Sequence, residues 1–218
     1  MKNDLKIAIV DYGVGNLYSL IKAFEFWGVQ AIVSEDPKVL KEASAIVLPG
    51  VGSFEAGMRG LEIRELVETI QEIAKSGKPI LGICLGAQLM LSLGHEFGIF
   101  KGLDIIRGKV VRFPNLDNNE KVPHIGWNTI SPPKNIDWKD TILDSSDPKN
   151  SFYFVHSYIL EPESKENIFA LTEYGGYTFC SIVKKGNIYG CQFHPEKSGE
   201  VGLKLINNFI NLIKYGKN

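Results

Sequence analysis

The residues best suited to chemistry lie in two short motifs far apart in the chain. Cys84 stands between glycines in Gly82-Ile-Cys-Leu-Gly86, after the apolar run Ile80 to Ile83 and before a helical pattern that begins at Gly86. A G-x-C-x-G at a strand-to-helix junction is the cysteine form of the nucleophile elbow. The turn would lift the sulfur off a sheet and set it at a helix N-terminus, where the dipole favours the thiolate. The Leu85 amide would point to the same spot as an oxyanion donor. The plainer reading of this motif is a buried cysteine among packing glycines. The second motif is Gln192-Phe-His-Pro-Glu196, after the run Ile188 to Cys191. Residues two apart on an extended chain share a face, so His194 and Glu196 can sit side by side. Pro195 keeps His194 out of the helical region. A carboxylate beside an imidazole sets its tautomer and stabilises its charged form. Nucleophile, base and orienter together are what cysteine acyl transfer needs.

Other fragments are more ambiguous. Leu48-Pro-Gly-Val-Gly-Ser-Phe54 ends a strand-like run. In a doubly wound sheet, ligands bind beyond the carboxyl ends of the strands. Gly50 and Gly52 would let backbone approach a substrate oxygen and would permit a peptide flip at Val51; the alternative is an ordinary tight turn. Asp11-Tyr-Gly-Val-Gly-Asn16 imitates a dinucleotide loop, but Tyr18 stands where a third glycine is required. The remaining histidines, His95, His124 and His156, have no metal-ligand spacing with another His or Cys, and no metal or organic cofactor is expected. His124 and His156 read as core-edge histidines held by hydrogen bonds.

The elements around these motifs set the expected fold. Apolar runs at Lys6 to Val10, Gln30 to Ser34, Ala45 to Leu48 and Ile80 to Ile83 read as strands. Helical spacing joins Leu17, Leu20, Ile21, Phe24 and Trp27, and again Ile63, Leu66, Val67, Ile70 and Ile73. Strand and helix in alternation imply a parallel sheet covered on both faces. From Leu103 to Phe193 the pattern changes to short β-rich runs, with strands expected at Val110 to Phe113, Phe152 to Tyr158, Phe179 to Val183 and Ile188 to Phe193. Ser131 to Asn150 reads as a surface excursion, and Leu205, Phe209, Leu212 and Ile213 mark a last helix. The expectation is one α/β domain over residues 1–218, with a mostly parallel, flavodoxin-like central sheet and an antiparallel, strand-rich second half.

Composition excludes several classes. The 218 residues carry 24 Lys+Arg against 25 Asp+Glu, a balance that argues against electrostatically led nucleic-acid binding. Three cysteines without a CxxC suggest neither a disulfide framework nor a zinc cluster. The N-terminal apolar run is too short for a signal peptide, and Pro79 to Gly94 falls short of a membrane span. A reducing, cytoplasmic location is therefore expected.

Gly82-Ile-Cys-Leu-Gly-Ala-Gln88, Leu48 to Gly52 and Gln192 to Glu196 resemble the triad (class I) glutamine amidotransferases. Asp11 to Leu17, Pro123-His-Ile-Gly-Trp-Asn128, Tyr153-Phe-Val-His-Ser-Tyr158 and His194 to Ser198 narrow the resemblance to the glutaminase subunits of imidazole glycerol phosphate synthase. The resemblance implies that Cys84 attacks the glutamine side-chain amide, with His194 as proton shuttle and Glu196 as orienter. It implies an oxyanion hole from the amides of Leu85 and, after a flip, Val51. Gly50, Gly52, Gln88, Ser157 and Tyr158 match positions that hold glutamine. Asn16, Trp127, Tyr153 and Lys197 match positions facing a cyclase subunit, which is a (β/α)8 barrel. The cyclase receives the ammonia and forms imidazole glycerol phosphate and an aminoimidazole carboxamide ribotide. Family members commonly have Met at Ala87 and often Thr at Ser157. Related subunits feed ammonia to a sugar-modifying synthetase of surface-polysaccharide synthesis, and Glu96-Phe-Gly with Lys101-Gly-Leu103 resembles them. Two further alternatives are a stand-alone cysteine hydrolase of DJ-1/PfpI type and a non-catalytic binding subunit.

Overall fold

The computed structural model describes residues 5–15, 17–117 and 120–216. In chain order the elements are β1 (Ile7–Val10), α1 (Leu17–Phe26), β2 (Ala31–Ser34), α2 (Pro37–Glu42), β3 (Ala45–Leu48), α3 (Phe54–Ile63), α4 (Leu66–Lys75), β4 (Ile80–Ile83) and α5 (Leu85–Leu89). There follow β5 (Leu91–Gly94), β6 (Phe100–Lys101), β7 (Ile106–Arg112), β8 (His124–Thr129), β9 (Ser151–His156), β10 (Tyr158–Pro162), β11 (Ile168–Tyr174), β12 (Tyr177–Lys185), β13 (Ile188–Cys191) and α6 (Gly199–Tyr215).

One large sheet runs β2-β1-β3-β4-β13-β12-β10-β7-β5-β6, with β11 paired to β12. Its first five strands are parallel. Beyond β13 the pairing turns antiparallel through β12, β10 and β7. All four residues of β1, β3, β4 and β13 are buried, as expected of strands covered on both faces. Within β1, Ile7 and Ile9 face a core built with α1 and α6, whereas Ala8 and Val10 face one built with α2 to α5. Full burial of a side chain such as Phe24, Phe54 or Phe209 contributes about 1.5–3 kcal/mol.

Several expected boundaries shift. The expected helix around Ile63 to Ile73 is two helices, α3 and α4, broken where Glu65 adopts φ +56°. Residues 54–63 hide their helix because Gly57 and Gly60 interrupt the apolar pattern. Both positions are close contacts: a Cβ at Gly60 would run into the Tyr12 carbonyl. The helix expected from Gly86 starts at Leu85 and lasts five residues before the chain re-enters the sheet as β5. The single strand expected over Phe152 to Tyr158 is two. At Ser157 the chain leaves a two-stranded ribbon with β8 and joins the main sheet beside β7. Ser131 to Asn150 is not merely a surface excursion, because Trp138, Ile142 and Leu143 are buried in the α1/α6 core. Strands β5, β6, β8 and β11 and the short α2, capped by Asp36, had no counterpart in the sequence reading.

Candidate active site

The pairing of two parallel strands assembles the candidate site. β4 and β13 lie side by side with Ile83 opposite Cys191. Cys84 is one residue beyond that register point and His194 three beyond, so both emerge at the same sheet edge. On the other flank Gly82 pairs with Leu48, which brings Pro49 to Gly52 past the same edge.

Cys84 has φ +50° and ψ −108°, a conformation that side chains rarely adopt and that marks a true elbow. Its amide donates to the Cys191 carbonyl at 2.7 Å, tying the elbow to β13. Gly86 is required by close approach: a Cβ there would run into the Leu48 carbonyl. As the first residue of α5, Leu85 has an amide without an intrahelical acceptor. Among the three cysteines, Cys84 alone lines the cleft; burial pushes the Cys180 thiol up to about 12 and raises Cys191 as well.

His194 Nδ1 and Glu196 Oε1 are 2.8 Å apart, and both side chains are almost fully buried. The opposite ring nitrogen, Nε2, is buried with no hydrogen-bond partner among the described residues. Burial works against a charged ring, but the nearby Cys84 sulfur and the hydrogen bond and charge of Glu196 outweigh it and raise His194 to about 9. The His194 amide donates to the Tyr153 carbonyl at 2.9 Å, which fixes the loop against β9.

Cys84 and His194 open into a cleft of about 320 Å³ together with Val51, Gly52, Gln88, Glu96, Pro123, Val155, His156, Ser157 and Tyr158. The structure thus gathers Val51, Gly52, Gln88, Ser157 and Tyr158 around the cysteine. Gly50 lies beneath, where a Cβ would crowd the Tyr12 hydroxyl and Leu85. Three of the four expected partner-facing residues cluster on one rim. Trp127 and Tyr153 are cross-strand neighbours with ring centroids 6.0 Å apart, and Lys197 follows Glu196 directly. Trp127 is 58% exposed, so it is not a core residue. Asn16 lies outside the described residues.

Sequence reasoning missed two contributors. Glu96 lines the cleft and accepts from the Phe54 amide at 2.7 Å. Its only signal was its place in Glu96-Phe-Gly, a stretch that resembles related subunits without assigning it a role, and only the fold of β5 and β6 brings it to the cleft. Tyr12 is buried and its hydroxyl donates to the Pro49 carbonyl, pinning the base of the Pro49 to Gly52 turn. Burial, with the nearby charge of Cys84, raises this phenol far above its usual range.

His124 and His156 are buried in an aromatic cage, with His124 stacked between Phe154 and Tyr174. Desolvation lowers His124 to about 4 and His156 to about 3. Both folded values lie below the ordinary value near 6.5, so the unfolded chain binds more protons between them. Their stabilising contribution is complete above about pH 6.5 and is lost as pH falls toward 4. The urea midpoint is expected to drop between pH 6.5 and 5, and a flat profile there would show that these rings do not stay neutral.

Comparison with known proteins agrees with this geometry. The family model described as glutamine amidotransferase class-I matches residues 8–212. The chain is 47% identical over 210 residues to imidazole glycerol phosphate synthase subunit HisH 1 of Legionella pneumophila strain Paris, covering 94% of this chain and 99% of that one. It is 45% identical over 206 residues to the HisH subunit of the same synthase from Chlorobium chlorochromatii, covering 94% and 100%. Among solved structures, PurLQS from Thermotoga maritima superposes with a TM-score of 0.71 at 19% identity, over 95% of this chain and 98% of that chain. A putative GMP synthase component from Thermoplasma acidophilum gives 0.69 at 20% identity, over 96% and 94%. The solved structures establish the shared fold and the sequence matches the lineage: the chain belongs to the class I glutamine amidotransferases.

Proposed function

We infer that this chain is the glutaminase subunit of an imidazole glycerol phosphate synthase. It hydrolyses glutamine and passes the ammonia to a cyclase subunit. The observation that supports the chemistry is the parallel register of β4 and β13, which brings Cys84 and His194 to one cleft with Glu196 held against the His194 ring. The identity of 45–47% to HisH subunits over nearly the full length supports the acceptor and the partner. It also favours this reading over the sugar-modifying and stand-alone hydrolase alternatives.

In the proposed reaction the Cys84 thiol passes its proton to His194 as the sulfur attacks the side-chain carbonyl carbon of glutamine. The Leu85 amide, joined by that of Val51, receives the oxyanion. His194, held by Glu196, protonates the leaving nitrogen, the carbon–nitrogen bond breaks and ammonia departs. His194 then takes a proton from water, whose oxygen attacks the thioester carbon, and returns it to the departing sulfur, which releases glutamate and restores the thiol. Glu96 at the cleft wall offers a carboxylate for the substrate ammonium group, while Gly52, Gln88, Ser157 and Tyr158 shape the rest of the pocket. A cytoplasmic location fits this reaction, and no helix among the described residues is long and apolar enough to cross a membrane. The deciding experiment supplies the complex of this chain and the cyclase with the acceptor ribonucleotide. One imidazole glycerol phosphate is expected per glutamate, and glutamate release without that product would refute the assignment.

Ammonia in bulk water at neutral pH is mostly protonated, so the cleft has to open into the partner. The exposed Trp127 beside Tyr153 is the natural anchor of that contact. Truncating a central aromatic anchor often costs about 2 kcal/mol or more. Trp127→Ala is expected to weaken the complex accordingly, or to raise the ratio of glutamate to product above one. Unchanged affinity together with an unchanged ratio would remove Trp127 from the interface.

A further inference from the structure

The structure assigns Gln192 as a further catalytic residue, whose side-chain amide donates a hydrogen bond to the Cys84 sulfur. The inference rests on the reading of Cys84 as the nucleophile. Gln192 is fully buried, and its Nε2 lies 3.8 Å from Cys84 Sγ, within reach for a large sulfur acceptor.

The orientation of this amide follows from a single carbonyl. The Tyr158 carbonyl can only accept, and the Gln88 side chain meets it at 3.2 Å, so the Gln88 atom there is the NH2 group. The same NH2 group lies 3.2 Å from the Gln192 side chain, which must therefore present its oxygen. That leaves the Gln192 NH2 group facing the sulfur. Reversing Gln192 alone would set two donors face to face, and reversing both amides would set two acceptors against each other at Tyr158. His156 reinforces the anchor, since its Nδ1 donates to the same carbonyl at 2.8 Å. Its other nitrogen then accepts from His124 Nδ1 at 3.2 Å. This second line of hydrogen bonds therefore runs back to β8, the strand that carries the exposed Trp127.

Apart from the His194 ring, the sulfur's other polar contact among the described residues is the Val155 carbonyl at 3.9 Å, which can only accept. A thiol can direct its proton to Val155, but an anionic sulfur is repelled by that oxygen and needs a donor. Gln192 is the buried donor on that side. It donates to the sulfur while the sulfur carries charge and holds it in one position at the cleft.

Gln192→Met keeps the length of the side chain and removes both polar atoms. Its effect is read as the rate of Cys84 alkylation by iodoacetamide at pH 7.5, located by peptide mapping, in protein whose melting temperature is also measured. Alkylation and glutamine-dependent kcat are both expected to fall roughly tenfold, the weaker end of what a hydrogen bond to a charged group contributes. Gln192→Glu preserves the acceptor that Gln88 requires. At pH 8 it is expected to show the same slowing with little change in KM for glutamine, which a loss of packing alone would not produce. Alkylation at the native rate in either folded variant overturns the proposal. Failure of the nucleophile reading shows separately, as glutamine-dependent turnover by Cys84→Ala.

Discussion

Cys84→Ala is expected to abolish glutamine-dependent synthesis while leaving synthesis from added ammonium intact. The first half follows from the cleft, which holds one cysteine at the elbow, next to the unpartnered Nε2 of His194. No other thiol can replace it. Cys180 and Cys191 are buried, and their thiols are raised, so they stay protonated and out of contact with substrate. The second half follows from the division of labour, since the acceptor site belongs to the partner. The substitution removes one sulfur from a 7%-exposed position and leaves the backbone tie from Cys84 to Cys191 in place, so fold and assembly should persist. The measurement is product formation by the complex with glutamine and, separately, with ammonium. Appreciable turnover with glutamine would reject Cys84 as nucleophile. Cys180→Ala and Cys191→Ala are expected to leave the glutamine reaction largely unchanged.

The isolated chain is expected to hydrolyse glutamine very slowly, and the partner with bound acceptor to accelerate it by at least roughly 10²–10³, the usual effect of one oxyanion donor. The two donors of the proposed hole are held very differently. Leu85 is buried in the first turn of α5, locked behind the elbow. Val51 is 40% exposed in a turn pinned at its base, where the Tyr12 hydroxyl holds the Pro49 carbonyl. Just beyond it Gly52 sits at φ +118° with open space where a Cβ would be. The outer half of the turn is therefore free to rotate the Val51 amide. A partner that packs over the exposed rim can select the orientation that faces the cleft. Steady-state glutaminase rates for the chain alone, for the complex, and for the complex with acceptor ligand test this. Full activity in the isolated chain would contradict it.

Much of the site was legible locally because its chemistry is written in short motifs. The strand runs Ala45 to Leu48 and Ile80 to Ile83 match β3 and β4 to the residue. Doubly buried parallel strands are continuous apolar runs cut off by polar or glycine turns, so their ends are visible in one dimension. The His-Pro-Glu spacing is equally local, and the elbow glycines show as a motif although Gly86 makes room for the distant Leu48 carbonyl. The second half was harder to read. The chain changes sheets at Ser157, yet Phe152 to Tyr158 reads as one continuous run of β-forming residues, so nothing local marks the switch. The helix at residues 54–63 was obscured by glycines that make room for neighbours, Gly57 for α5 and Gly60 for the Tyr12 carbonyl, and do not form a turn.

The sequence alone pointed to the candidate nucleophile, base and orienter and the turn opposite them, because these depend on residue type and near-neighbour spacing, while the expected partner-facing residues came from the family resemblance. Only the tertiary structure decided that Glu96 reaches the cleft, that Tyr12 pins the Pro49 carbonyl, and that the Tyr158 carbonyl orients Gln88, and through it Gln192, toward the sulfur. These contacts join residues 37 to 108 positions apart in the chain. Their existence depends on strand register and on which hydrogen-bond acceptors are already taken, and neither is written in any local stretch of the chain.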